Sequence, residues 1–195
     1  GFNLFDYKAV VTKYNNPEGI IYNNHTGLAR NKGYYEGMDL GEIWGFVAND
    51  LFMTNREVDD YLKSKDLSFF KADNLWQAGD LKYIDTNRDG KVDPGNGTLS
   101  DHGDLRIIGN TTPRYSFGIN LNAGYKGFSV STLLQGVAKR DFPLAGSTYL
   151  FGGKNYFKDH LDYFSPQNPG AYLPRLADPK TVDYMTNAGY NTTLY

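Results

Sequence analysis

Hydrophobic and polar positions alternate most regularly between Tyr115 and Ala138. A two-residue turn at Lys126-Gly127, with Gly supplying the positive φ that a tight hairpin needs, folds this stretch on itself. Tyr125 then faces Phe128, followed by Ala123–Val130, Leu121–Thr132, Ile119–Leu134, Phe117–Gly136 and Tyr115–Ala138. Side chains alternate with period two, so these pairs share one face, which is apolar along its length. The other face carries Gly124–Ser129, Asn122–Ser131, Asn120–Leu133, Gly118–Gln135 and Ser116–Val137, which are mostly small and polar. The pattern predicts an antiparallel hairpin with one wet face.

A soluble sandwich produces the same alternation. Two features favour the wall of an outer-membrane barrel. Aromatics stand at both ends of the apolar face, Tyr115 and Phe117 at one and Tyr125 and Phe128 at the other. Ten steps of ~3.3 Å tilted by roughly 40° also give a height of about 25 Å, the apolar band of such barrels. The turn is short and both flanks run into long segments, as periplasmic turns and extracellular loops do.

Elsewhere the pattern is weaker. Residues 1–13 read as the extended end of a strand, and 15–32 as loop, rich in Asn and Gly. Residues 34–47 read as one or two short strands broken by glycines. Thr54 followed by Glu57 has the spacing of a capping box, and Val58, Tyr61 and Leu62 fall on one face of a short helix. A further helix is expected near Asn155–Phe164. Exposed aromatics at Phe142, Tyr149, Phe151, Tyr156 and Phe157 could stack on sugars or pack within their own loop layer.

Composition narrows the function classes. The 195 residues include no Cys, which excludes disulfides and thiolate metal sites. Lys+Arg 20 against Asp+Glu 22, with no basic block, gives no footprint for nucleic acid. No apolar run is long enough for a transmembrane helix. Mean hydropathy is low at -0.54, yet in a barrel strand only every second residue faces lipid, so a low mean does not argue against a membrane wall. The chain opens on Gly1-Phe2-Asn3 without a Met or a leader-like stretch, and is expected to be a processed chain or a fragment.

The most specific chemistry lies in Asp85-Thr86-Asn87-Arg88-Asp89-Gly90-Lys91-Val92-Asp93, which matches the first nine positions of a D-x-[DN]-x-[DN]-G calcium loop. Asp85, Asn87 and Asp89 would converge on a hard cation. Gly90 would permit the sharp turn, Lys91 would offer its carbonyl, and Asp93 would ligate directly or through water. The twelfth position is Asn96 rather than an acid, so Asp101 or Asp104 would have to close the site. A structural Ca²⁺ is expected on Asp85, Asn87, Asp89, Lys91, Asp93 and Asp104. A metal-free cluster of turn-forming residues is the alternative.

No catalytic constellation emerges. His25, His102 and His160 share no metal-binding spacing, and there is no nucleophile elbow, P-loop or dinucleotide fingerprint. The chain is therefore expected not to be an enzyme.

Gly79–Asp93, then Arg106-Ile107-Ile108-Gly109-Asn110-Thr111-Thr112-Pro113-Arg114-Tyr115, Tyr125-Lys126-Gly127-Phe128 and Leu134-Gln135-Gly136-Val137, together resemble the late barrel region of the SusC/RagA family of TonB-linked outer-membrane proteins. Gly41-Glu42-Ile43-Trp44-Gly45-Phe46 fits the same region. The likeness covers roughly residues 1–140. It departs from the family at Pro94–Gly103, where the passage to the Arg106 stretch is usually more direct, and this makes Asp104 the better closing ligand.

The resemblance implies an all-β fold, a segment of a transmembrane antiparallel barrel of roughly 22 strands with long extracellular loops and short loop helices. Residues 1–195 would belong to one C-terminal-half barrel domain. Within it, 1–13 would be a strand end and 14–112 a long loop region holding the acidic loop 85–104. Residues 113–139 would be the transmembrane hairpin and 140–195 an extracellular loop region. The family further implies a bacterial outer-membrane location, import of glycans or peptides, a SusD-like surface lipoprotein as partner, and TonB acting through parts absent from this sequence. The rival reading is a secreted, Ca²⁺-stabilised β-module that binds carbohydrate.

Overall fold

The computed structural model describes residues 1–21, 33–70, 76–142, 158–175 and 192–194. His25 and the aromatics Tyr149, Phe151, Tyr156 and Phe157 lie outside these residues. Among these residues the fold is mostly β, with one short α-helix and two sheets, neither of them closed. None of the described residues forms a helix long and apolar enough to cross a membrane.

The first sheet has the order β1 (Phe2–Phe5), β5 (Arg114–Tyr125), β6 (Phe128–Lys139), antiparallel throughout. The hairpin register follows the hydrophobic alternation from Tyr125–Phe128 to Ser116–Val137. Lys126 and Gly127 both take positive φ, 46° and 86°, the two-residue geometry whose twist matches that of the strands. The regular ladder breaks at Tyr115, which swings to a φ of 54°, and pairing resumes at Arg114–Lys139. The Asp6 carboxylate holds this kink by accepting from both the Arg114 guanidinium and the Tyr115 N–H. β1 extends the apolar face, because Phe2 lies opposite Ile119 and Leu4 opposite Phe117.

The second sheet is built on β2 (Glu42–Leu51), flanked by the antiparallel strands β3 (Leu81–Tyr83) and β4 (Arg106–Asn110), with the short β7 (Thr192–Leu194) pairing β2 in parallel. The expectation of short, glycine-broken strands differs from this single ten-residue strand. Gly45 is held in the ladder from the β4 side, where it pairs with Arg106. Irregularities in pairing fall instead at Ile43/Trp44 and Ala48/Asp50.

The helix α1 (Asn55–Leu62) follows the capping signal closely. Thr54 Oγ1 accepts from the Glu57 N–H, while the Glu57 carboxylate reaches back to the N–H of Met53, one residue further than a standard box. The Lys82 ammonium and that Met53 N–H hold the Glu57 carboxyl below the usual carboxylate range. Val58 is buried, with Tyr61 and Leu62 packed on the core. Thr54→Ala should lower the stability of this region by about 0.5–2 kcal/mol, measured by denaturant unfolding, whereas Thr54→Ser should leave it nearly unchanged.

A core forms between β2, β3, α1 and the loops around them, inside the 14–112 stretch read as loop. Phe46 is fully buried and meets Phe69, Phe70 and Tyr83 edge-on or tilted, and Phe70 stacks flat on Tyr83 at 4.1 Å. Phe164 and Ala171 complete this core from the other side of the hairpin in sequence. The folded unit is therefore discontinuous, and the hairpin is an insertion within it. Of the helix expected near Asn155–Phe164, a 3₁₀ turn at Lys158–Leu161 is present, and 155–157 lie outside the described residues.

Candidate functional site

The acidic loop joins β3 to β4 and folds as a chain of side-chain-to-backbone turns. Asp85 Oδ1 accepts from Arg88 N at 2.5 Å and Oδ2 from Gly90 N at 2.9 Å. Asn87 accepts from Asp89 N at 3.0 Å, and Asp89 from Lys91 N at 2.8 Å. These are the turns that Asp and Asn favour, and Gly90 takes the positive φ, 90°, that the sharp bend requires. Lys91 forms a bridge with Asp66, where Asp66 N donates to Gly90 O and Val92 N to Asp66 O.

The six expected ligands are divided rather than gathered. Asp104 does return to the loop as expected, but as a buried strut. Its Oδ1 accepts from Thr86 N, Thr86 Oγ1 and Asn87 N, and its Oδ2 from Asp93 N. Four donors on one buried carboxylate satisfy its charge without a metal. The Asp93 carboxylate accepts from Gly95 N, and the Asp101 carboxylate accepts from Asn96. Among the described residues, no three acidic or histidine side chains gather closely enough to hold one ion. As arranged, the set does not fit a calcium cage, which needs six to eight converging oxygens.

A residue outside the motif meets Asp85. The Lys65 ammonium, just past the end of α1, donates to Asp85 Oδ2 at 2.5 Å, with the Asp85 side chain 1% exposed and that of Lys65 28%. Burial alone would raise the Asp85 carboxyl, yet Lys65 and the N–H groups of Gly90 and Arg88 more than offset it and hold it below the usual range. Beside them the Tyr61 hydroxyl donates to the Tyr83 carbonyl. It is pushed up to about 12, first by burial and then by the negative charges of Asp85 and Asp104. No spacing rule in the sequence points to Lys65, because its partner lies 20 residues away.

The hairpin is the second candidate surface. Phe128 is 82% exposed, Tyr125 72%, Val130 64% and Leu121 56%, so the apolar face is not covered by the described residues. The opposite face is also open. There Ser131 donates to Asn122, and Asn122 to Asn120, in a ladder of small polar groups. Leu133, Val137 and Phe5 are the apolar exceptions on that face.

The end of the hairpin remote from its turn is fixed to the folded unit. Asn110 N donates to the Asp141 carboxylate at 2.7 Å, Arg140 Nε to Thr111 O at 3.1 Å, and Thr111 N to Gly41 O at 2.8 Å. The β4–β5 link, Asn110 to Pro113, is thus clamped from both sides.

His102 sits against Trp44, and its Nδ1 shares a hydrogen bond with the Arg106 guanidinium. The side chain of His160 is not described. The chain matches no family model, and no curated protein matches it in sequence.

Proposed function

We propose that this chain is a late segment of a TonB-dependent outer-membrane importer of glycans or peptides, working with a SusD-like surface lipoprotein. The observation that carries the reading is the contrast between the two parts of the chain. The folded unit buries its aromatics in a core of its own, whereas the hairpin holds a continuous apolar face across β1, β5 and β6 open to its surroundings. A large exposed apolar surface needs a partner or a lipid phase. Aromatics at both ends and a wet opposite face favour lipid.

In this reading the hairpin is part of the barrel wall, with the Lys126-Gly127 turn on the periplasmic side. The unit clamped at its other end stands at the extracellular mouth, where it shapes the vestibule and meets the lipoprotein. Lipid covers the apolar face, and neighbouring strands of the same barrel pair with the outer edges of β1 and β6. The residues then contribute differential contacts with a ligand and no covalent chemistry.

Fractionation of the native full-length polypeptide tests this. Recovery only with detergent is expected, and release in soluble form without detergent would favour the secreted carbohydrate-binding module instead. The two faces give a finer test. Leu121→Arg should cost roughly 2–4 kcal/mol near the bilayer midplane, measured by unfolding in detergent or lipid, and Asn122→Arg clearly less. Equal losses at the two positions would mean that the lipid face is misassigned.

A further inference from the structure

We infer that Lys65 is the resident cation of the acidic loop, a latch that folds residues 85–104 without calcium. The inference stands on how the loop's charges are already met, and it is independent of the transport reading. A calcium-type loop needs a cation because its first, third and fifth side chains bring negative charge into one tight turn. Here the first of them, Asp85, is the deeply buried one, and the Lys65 ammonium lies on it at 2.5 Å. A primary ammonium has three donors and no preferred coordination number, so a single lysine can neutralise this carboxylate without the converging oxygens that Ca²⁺ demands. The acid expected to close the metal site, Asp104, is turned to a different use, as the acceptor of three backbone N–H groups and one hydroxyl.

Backbone contacts place the lysine there. The Asp66–Lys91 bridge ties the residue after Lys65 to the loop through two hydrogen bonds, at 2.8 and 2.9 Å. The segment beyond α1 therefore cannot move away from the loop without breaking that bridge. The helix end, the ammonium and the acidic turn form one unit, and the latch joins the end of α1 to the loop between β3 and β4.

Arg88 and Lys91 are exposed within the loop, so trypsin reports its opening directly. The experiment compares purified full-length protein in detergent with EGTA or with CaCl₂ at matched ionic strength, following cleavage after Arg88 and Lys91. The unmodified protein should be cut at the same slow rate in both. Lys65→Gln should be cut about tenfold faster in EGTA, since cleavage follows the population of the open loop. Lys65→Arg, which keeps the charge, should restore most of the protection. Cleavage after Arg56, on exposed α1, serves as the control for general unfolding and should change little. Acceleration of the unmodified protein by EGTA, reversed by Ca²⁺, would overturn the inference in favour of a metal-held loop. Equal rates for Lys65→Gln and the unmodified protein would overturn it by showing that the lysine holds nothing.

Discussion

Phe46→Ala is expected to lower the stability of the folded unit by about 3–5 kcal/mol, the cost of emptying a fully packed aromatic site. Phe46 has no exposed surface and touches Phe69, Phe70 and Tyr83, which themselves stack on one another. Surrounding rings packed on one another across β3 and the turn at Phe69–Phe70 relax poorly into the space, so the cavity term adds to the lost transfer energy. The change should be read by denaturant unfolding, with Trp44 and Trp76 as probes on that same core. Phe142→Ala, at a ring 70% exposed, should shift the curve by less than about 0.5 kcal/mol. Similar losses at the two sites would contradict the core assigned here.

Arg175→Met should be nearly as damaging. Arg175 Nε donates to Asp80 Oδ1 at 2.6 Å, and the Asp80 side chain is fully buried. Removing the guanidinium takes the countercharge from a buried carboxylate that keeps its bond from the Gln77 N–H, with an expected loss of about 3–5 kcal/mol. The backbone of Arg175 also donates to Gly79 O, so the same residue holds segment 158–175 against the unit by two independent bonds. The double variant Asp80→Leu/Arg175→Met should recover a large share of that loss, because a buried apolar pair carries no desolvation penalty. A double-mutant cycle measures this directly. If the loss in the double variant, relative to the unmodified protein, equalled the sum of the two single losses, the pair would be acting as two unrelated contacts.

These two sites show what could and could not be read from the chain. The hairpin was legible because its information is local. Alternation sets which residues share a face, and one glycine after Lys126 sets the turn, so the register follows from a two-residue count. α1 was legible for the same reason, with Thr54 and Glu57 three residues apart and Val58, Tyr61 and Leu62 on one turn-spaced stripe. The bend of the acidic loop at Gly90 also follows from its own short polar side chains.

The candidate site was legible only in outline. Asp85, Asn87 and Asp89 have the spacing of ion ligands, and in the structure each also accepts from backbone N–H groups nearby. The charge that meets the buried Asp85 comes from Lys65, 20 residues earlier, where no spacing rule points to it. β2 runs unbroken for a related reason. Gly41, at a φ of 93°, lies just before the strand, and Gly45 inside it is held by pairing with β4.

By itself the sequence determined the elements whose causes are close neighbours: the two-faced hairpin and its register, the capped helix, and the turn-rich acidic loop. Only the tertiary structure decided that the stretch between residues 14 and 112 encloses a core, that Phe164, Ala171 and Arg175 return across the hairpin to complete it, and that a lysine meets the acidic loop. Periodicity records what a residue's neighbours along the chain do. Contacts such as Asp80 with Arg175, 95 residues apart, are made because a buried charge is stabilised by an opposite one, and that burial exists only once the chain has folded around it.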